Sequence, residues 1–334
     1  MMTQAITPEA PVRNLAMDLV RVTEAAALAS ARWLGKGAKE DGDKAAVDAM
    51  RLGFNALDIK GLVIIGEGEK DEAPMLYNGE KVGQGTGLAV DIAVDPVEGT
   101  NLLALGRPNA ISVIGAALSG TMYNPGPSFY MKKLVAPAAA AEVIDLDAPT
   151  ADNLAKVAKA LGKDVNDLVV FVLDKPRHKT LISEIRAAGA RIQLHTDGDV
   201  SGALMAVDPR SEVDLMMGTG GTPEGVISAC AIRGLGGQML ARLDPQSEAE
   251  KTGILEAGIS LTEILSVESL VRTDEVFFAA TGISGGTFMR GVAYGGTGAS
   301  TYSVAIRGKT GTVRYMEAHH NWEKLMKISA VAYD

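Results

Sequence analysis

Apolar positions recur at helical spacing over residues 12–34, where Leu15, Leu19, Val22, Ala26 and Ala29 mark one face and Gly35 and Gly37 end it. The same periodicity predicts helices over 44–57 and 150–161, the latter with Thr150 as cap and Asp152 in its first turn. Between them, short continuous apolar runs at 62–65, 89–94 and 111–118 read as buried strands. Beyond Gly162 the two signals alternate. Strands are predicted at 168–173, 191–195, 213–217, 276–280 and 302–306, and helices at 180–188, 200–207 and 223–235. The acidic stretch 248–256 reads as a solvated helix or loop. Such alternation predicts a layered α/β architecture, with a seam near Gly162 dividing lobes 1–162 and 163–334.

Composition narrows the function. With 334 residues the chain can build a large core, and with aromatics at only 4% that core must be aliphatic. The 38 glycines predict many tight turns or close backbone approaches. A net charge of −9 argues against a basic nucleic-acid footprint. It leaves room for a phosphorylated substrate, because bound cations can reverse the local field. Cys230 is the only cysteine and sits in an apolar helical stretch, so neither a disulfide framework nor a cysteine-rich zinc site is expected. The histidines, His178, His195, His319 and His320, lack metal-binding spacing; the last two read as surface residues, and His178 as a helix-start residue that could assist phosphate binding. Residues 1–11 lack the pattern of a signal peptide, and no apolar run reaches membrane-spanning length, so a cytoplasmic protein is expected.

The chemistry concentrates in carboxylates at strand ends. Glu67 and Glu69 follow one strand, Asp91 and Asp95 border the next with Glu98 close behind, and Glu224 opens a later helix. Singly, each is a good turn former or a partner for a helix dipole. Collectively, carboxylates on successive loops of a layered α/β fold converge on one crevice, where they repel unless a cation joins them. Hard oxygen donors suit Mg²⁺ or Mn²⁺. Lys175 and Arg177, between a strand and a helix, are placed to meet a phosphate. Asp197 and Asp199 can accept from sugar hydroxyls or cap the helix that follows.

Asp95-Pro-Val-Glu-Gly-Thr100 places two acidic groups and a hydroxyl on one short turn. It resembles the Asp-Pro-(Ile/Leu)-Asp-(Gly/Ser)-Thr pattern of the lithium-sensitive phosphatase superfamily, and its second acidic residue, a glutamate, is similar to class II fructose-1,6-bisphosphatases. Further matches run in that family's order: Arg21–Ala29, Trp33–Gly37, Ile65–Glu69, Asp71–Tyr77, Tyr130–Leu134, Lys175–His178, Asp197–Val200, Gly220–Gly225 and Thr281–Ile283.

The resemblance implies an αβαβα sandwich of the sugar-phosphatase type. It implies hydrolysis of the 1-phosphate of fructose 1,6-bisphosphate by a cation-activated water, a gluconeogenic reaction, in a cytoplasmic homo-oligomer (dimer or tetramer). It further implies that Asp43 and Glu67 hold one metal and that Asp95, Glu98 and Glu224 hold a second, with Mn²⁺ or Mg²⁺ as cofactor. Thr100, Glu67 and Lys39 would serve catalysis. Glu98, Gly99, Thr100, Tyr130, Lys175, Pro176, Arg177, Asp197, Gly198, Asp199 and Gly221 would contact the substrate. Lys44 stands where a small residue is expected, so Asp41 competes with Asp43 as ligand. The rivals are a dual enzyme that also takes sedoheptulose 1,7-bisphosphate, an inositol monophosphatase, and a non-catalytic phosphosugar-binding regulator. A Rossmann dehydrogenase is disfavoured because no GxGxxG follows the first strand.

Overall fold

The computed structural model describes residues 13–68 and 75–327. Its helices are α1 (Leu15–Ser30), α2 (Lys39–Phe54), α3 (Thr100–Leu105), α4 (Thr150–Leu161), α5 (Lys179–Ala187), α6 (Asp199–Val207), α7 (Thr222–Leu235), α8 (Glu248–Glu256), α9 (Val267–Leu270) and α10 (Trp322–Leu325). The strands are β1 (Ile59–Ile65), β2 (Lys81–Val82), β3 (Leu88–Glu98), β4 (Ile111–Leu118), β5 (Tyr130–Ala136), β6 (Val169–Leu173) and β7 (Arg191–His195). They continue with β8 (Leu215–Gly221), β9 (Gln238–Leu243), β10 (Leu265–Ser266), β11 (Val276–Gly282), β12 (Ala293–Gly295), β13 (Gly298–Arg307) and β14 (Thr312–Asn321). One sheet runs β12-β13-β11-β4-β3-β1-β2, with β14 on the outer side of β13; the other runs β10-β9-β5-β8-β6-β7.

Successive strand residues enter different cores, as a period of two requires. In β11, Phe277 and Ala279 join the cluster beneath α1 and α2, whereas Phe278 and Ala280 join the cluster between the sheets. In β6, Val169, Phe171 and Leu173 face that central cluster, and Val170 and Val172 pack with Leu154, Val157, Ile182 and Ile185 of α4 and α5. Both sheets are thus covered on two faces, which is why their strands read as continuous apolar runs. The central cluster also takes in Val200 to Val207 of α6 and Val226 to Ile232 of α7. The layers are therefore α1/α2, first sheet, α6/α7, second sheet and α4/α5, the expected αβαβα sandwich.

Five features depart from the sequence pattern. Helix α2 starts at Lys39, five residues before the predicted start, because Gly42 belongs to the helix. A Cβ there would press on Leu103 and Trp33, so the glycine marks close packing rather than a loop. The strand predicted to end at Val94 continues through Pro96 to Glu98, and β8 likewise runs on through Gly218 to Gly221. Finally, the sheets do not divide at Gly162, which caps α4 with φ 66°. The chain passes to the second sheet between Leu118 and Tyr130 and returns to the first at Val276. Thr150 is the first residue of α4, with its hydroxyl on Glu184, rather than the cap. Among the described residues, no helix is long and apolar enough to cross a membrane.

Candidate active site

The carboxyl ends of β1, β3, β6, β7 and β8 open onto a cleft of about 620 Å³, the position where open α/β sheets place their ligands. Lys39 and Asp43 reach it from α2, one helical turn apart and so on the same face. Asp41 is exposed and does not line it. Glu67 enters from the loop after β1, where its N–H donates to Leu76 O at 2.9 Å. Glu69 lies outside the described residues.

Residues three apart on a regular strand face opposite sides, yet Asp95 and Glu98 both line the cleft. A register shift resolves this. Asp95 pairs with Val113 and Glu98 with Ile111, so three steps on β3 oppose two on β4. Such a bulge re-aims side chains and tolerates Pro96, which has no N–H for the ladder. The predicted tight turn is therefore a bulged strand end, closed by Val97 N–H donating to Asp95 Oδ1 at 3.1 Å. Gly99 then takes φ 92° and lets Thr100 begin α3 at the cleft. Glu98 Oε1 accepts the Val200 N–H at 3.0 Å, tying the first sheet to the start of α6.

The second sheet supplies the remaining wall. Lys175 and Arg177 flank Pro176 after β6; both line the cleft, and Pro176 does not. Arg177 Nε donates to Thr219 O at 2.9 Å, and its guanidinium lies 5.2 Å from the centre of the Tyr130 ring. Asp197 accepts from Asn101 Nδ2 at 3.3 Å, and Asp199 opens α6. Gly198, between them, is buried at φ 95° and does not line the cleft; its place is the turn itself. Gly221 ends β8, three residues before Glu224 in the first turn of α7.

Burial and mutual repulsion push these carboxyls upward. Glu67 and Glu224 are both raised to about 7, by burial first and then by Asp43 and Asp199 respectively. Asp95 stands well above its ordinary range through burial, then Glu98, Glu67 and Glu224. Glu98 is raised by burial and Asp199 against the Val200 N–H, and Asp43 by burial and Glu40. The buried oxygens Glu98 Oε2 and Glu224 Oε2 have no hydrogen-bond partner. Unpartnered buried carboxylate oxygens among like charges suit a hard divalent cation. Among the described residues, no three His, Cys, Asp or Glu side chains are closed around a single point as a metal cage.

Several residues acquire a place that spacing alone did not give. Lys133 is buried and pairs with Asp199 Oδ2, a position the alternation of β5 allows but a Lys-Lys pair conceals. Glu250, inside the stretch read as solvated, is buried and accepts the N–H groups of Phe129 and Tyr130 at 2.7 and 2.9 Å. His178 is neither solvated nor free for phosphate. Its Nδ1 meets Leu173 O at 2.7 Å and its Nε2 accepts the Thr219 N–H at 2.8 Å, which makes it a strut between the ends of β6 and β8. Asp91 points away from the cleft and caps Thr121 and Met122. Cys230 is a core residue whose thiol burial pushes up to about 12. His319 is exposed, whereas His320 is half-buried against Thr301.

Known proteins resemble this chain along most of its length. The chain is 46% identical over 329 residues to fructose-1,6-bisphosphatase class 2 of Haemophilus influenzae, covering 95% of this chain and 98% of that one. It is 45% identical over 321 residues to fructose-1,6-bisphosphatase 1 class 2 of Escherichia coli strain K12, covering 92% and 95%. Residues 13–320 match the family described as bacterial fructose-1,6-bisphosphatase, glpX-encoded, and the chain belongs to that family.

Proposed function

We propose that this chain hydrolyses the 1-phosphate of fructose 1,6-bisphosphate, giving fructose 6-phosphate and phosphate, with Mg²⁺ or Mn²⁺ as cofactor. The observation that carries this reading is one cleft in a member of this family that joins five carboxylates, Asp43, Glu67, Asp95, Glu98 and Glu224, to two basic anchors, Lys175 and Arg177. Asp43 and Glu67 would hold one cation, and Asp95, Glu98 and Glu224 a second. A cation bound there lowers the pKa of the attacking water and stabilises charge on the leaving oxygen.

The chain's own groups do the rest. Thr100 orients the water and Glu67 takes its proton. Lys39 neutralises the phosphate that is cleaved, and Lys175 and Arg177 grip the one that is not. Asp197 and Asp199 accept from the sugar hydroxyls, while Tyr130, Gly99 and Gly221 frame the sugar. The setting implied by the resemblance is a cytoplasmic homo-oligomer.

Initial rates of phosphate release on fructose 1,6-bisphosphate, sedoheptulose 1,7-bisphosphate, fructose 6-phosphate and inositol 1-phosphate test this assignment. With Mg²⁺ or Mn²⁺ present, fructose 1,6-bisphosphate should give the highest kcat/KM. Release from none of them, or a preference for inositol 1-phosphate, would overturn it.

A further inference from the structure

β5 carries two successive lysines, and they end on opposite faces. Lys132 is exposed and donates to Leu146 O at 3.1 Å. Lys133 is only 1% exposed. A lysine is seldom buried so fully without strong partners. Lys133 has two: its Nζ pairs with Asp199 Oδ2 and donates to Gly221 O at 2.7 Å.

Those partners come from separate elements on the sugar side of the cleft. Asp199, itself 4% exposed, begins α6, and Gly221 ends β8. The fit between them is tight. A Cβ on Gly220 would overlap Asp199 Oδ2 and come 3.2 Å from Lys133 Nζ. A Cβ on Gly221 would overlap Glu224 Oε2, and one on Gly225 would lie 3.5 Å from Lys133 Cδ. Glycines thus clear the space in which the ammonium, the carboxylate and the carbonyl meet.

We propose that Lys133 is a positioning residue for sugar binding, fixing the Asp199 carboxylate against the Gly221 carbonyl so that both meet the substrate at one setting. This rests on the assignment of the cleft to a sugar bisphosphate. Lys133 itself lies beneath the cleft lining and acts through Asp199.

Lys133→Met keeps the length of the stem and removes the charge. KM for fructose 1,6-bisphosphate should rise at least about tenfold while kcat stays within about threefold, the pattern of lost binding rather than lost chemistry. Asp199→Asn should raise KM comparably. The double variant K133M/D199N should be no worse than D199N alone, because the two residues form one unit. A folded Lys133→Met with unchanged KM, or losses that add in the double variant, would overturn the proposal. A lysine that served only the core would lower the melting temperature and leave KM alone. Should Lys133→Met fail to fold, comparing D199N with the double variant, whose buried pair is neutral, answers the same question. Failure of the unmodified protein to release phosphate from fructose 1,6-bisphosphate would instead remove the substrate assignment, a separate outcome.

Discussion

Replacing Arg177 by Ala separates anchoring from chemistry. Its Nε is already engaged by Thr219 O at 2.9 Å, and its guanidinium lies 5.2 Å from the Tyr130 ring centre. The terminal nitrogens are therefore the ones a phosphate would take, as a fork. Because the side chain is held before substrate arrives, little rotamer freedom remains to be lost on binding. Losing a charge-assisted contact costs about 1.5–3 kcal/mol, which raises KM for fructose 1,6-bisphosphate about ten- to a hundredfold. Some loss of kcat follows, since remote binding energy helps orient the reacting end. The assay is initial phosphate release against concentration, at saturating Mn²⁺, for fructose 1,6-bisphosphate and for fructose 1-phosphate. The monophosphate lacks the group that Arg177 is assigned to hold, so its parameters should barely change. Arg177→Lys should fall between, keeping the charge but losing the Thr219 bond and the ring contact. Equal losses on both substrates would place Arg177 at the reacting phosphate or in the fold, and the anchoring role would be wrong.

Other substitutions address the acidic side. Asp95→Asn keeps the shape of the bulge but removes a charged donor, so activity should fall by at least about two orders of magnitude; near-normal turnover at saturating metal would take Asp95 out of the site. Thr100→Val is nearly isosteric without a hydroxyl, and it should lower kcat with little change in KM. A change confined to KM would make Thr100 a binding residue. Gly221 has φ −66°, which alanine adopts freely, so Gly221→Ala leaves the backbone unstrained and places its Cβ against Glu224 Oε2. Calorimetric titration of Mn²⁺ should then show affinity reduced about ten- to a hundredfold with the melting temperature nearly unchanged, the scale for disturbing a metal ligand's support. Unaltered Mn²⁺ affinity would detach Glu224 from cation binding.

Periodicity made most of the layers legible, because strands covered on both faces leave continuous apolar runs and α4 and β4 fall where the pattern puts them. Legibility failed where polar residues had structural work. β5 hides behind Lys132-Lys133, β14 is an outer strand with an exposed, charged face, and α2 contains a glycine chosen for packing. In the cleft, Asp95, Glu98 and Thr100 were visible as a motif. The reason they share one side was not, since a bulge is a property of pairing with β4 rather than of local sequence. Lys133, Glu250 and His178 act through partners 66, 120 and 41 residues away, respectively, and no spacing rule reaches that far.

The central claim is cation-dependent hydrolysis at C1 of the sugar, and identifying the product with and without cation tests it most directly. Metal-free protein is incubated with fructose 1,6-bisphosphate, alone and with Mn²⁺ or Mg²⁺, and the sugar monophosphate formed is identified by ³¹P NMR. The account predicts fructose 6-phosphate and inorganic phosphate only when cation is added, with release abolished again by excess chelator. Formation of fructose 1-phosphate, or phosphate release at the same rate in the presence of chelator, would contradict it.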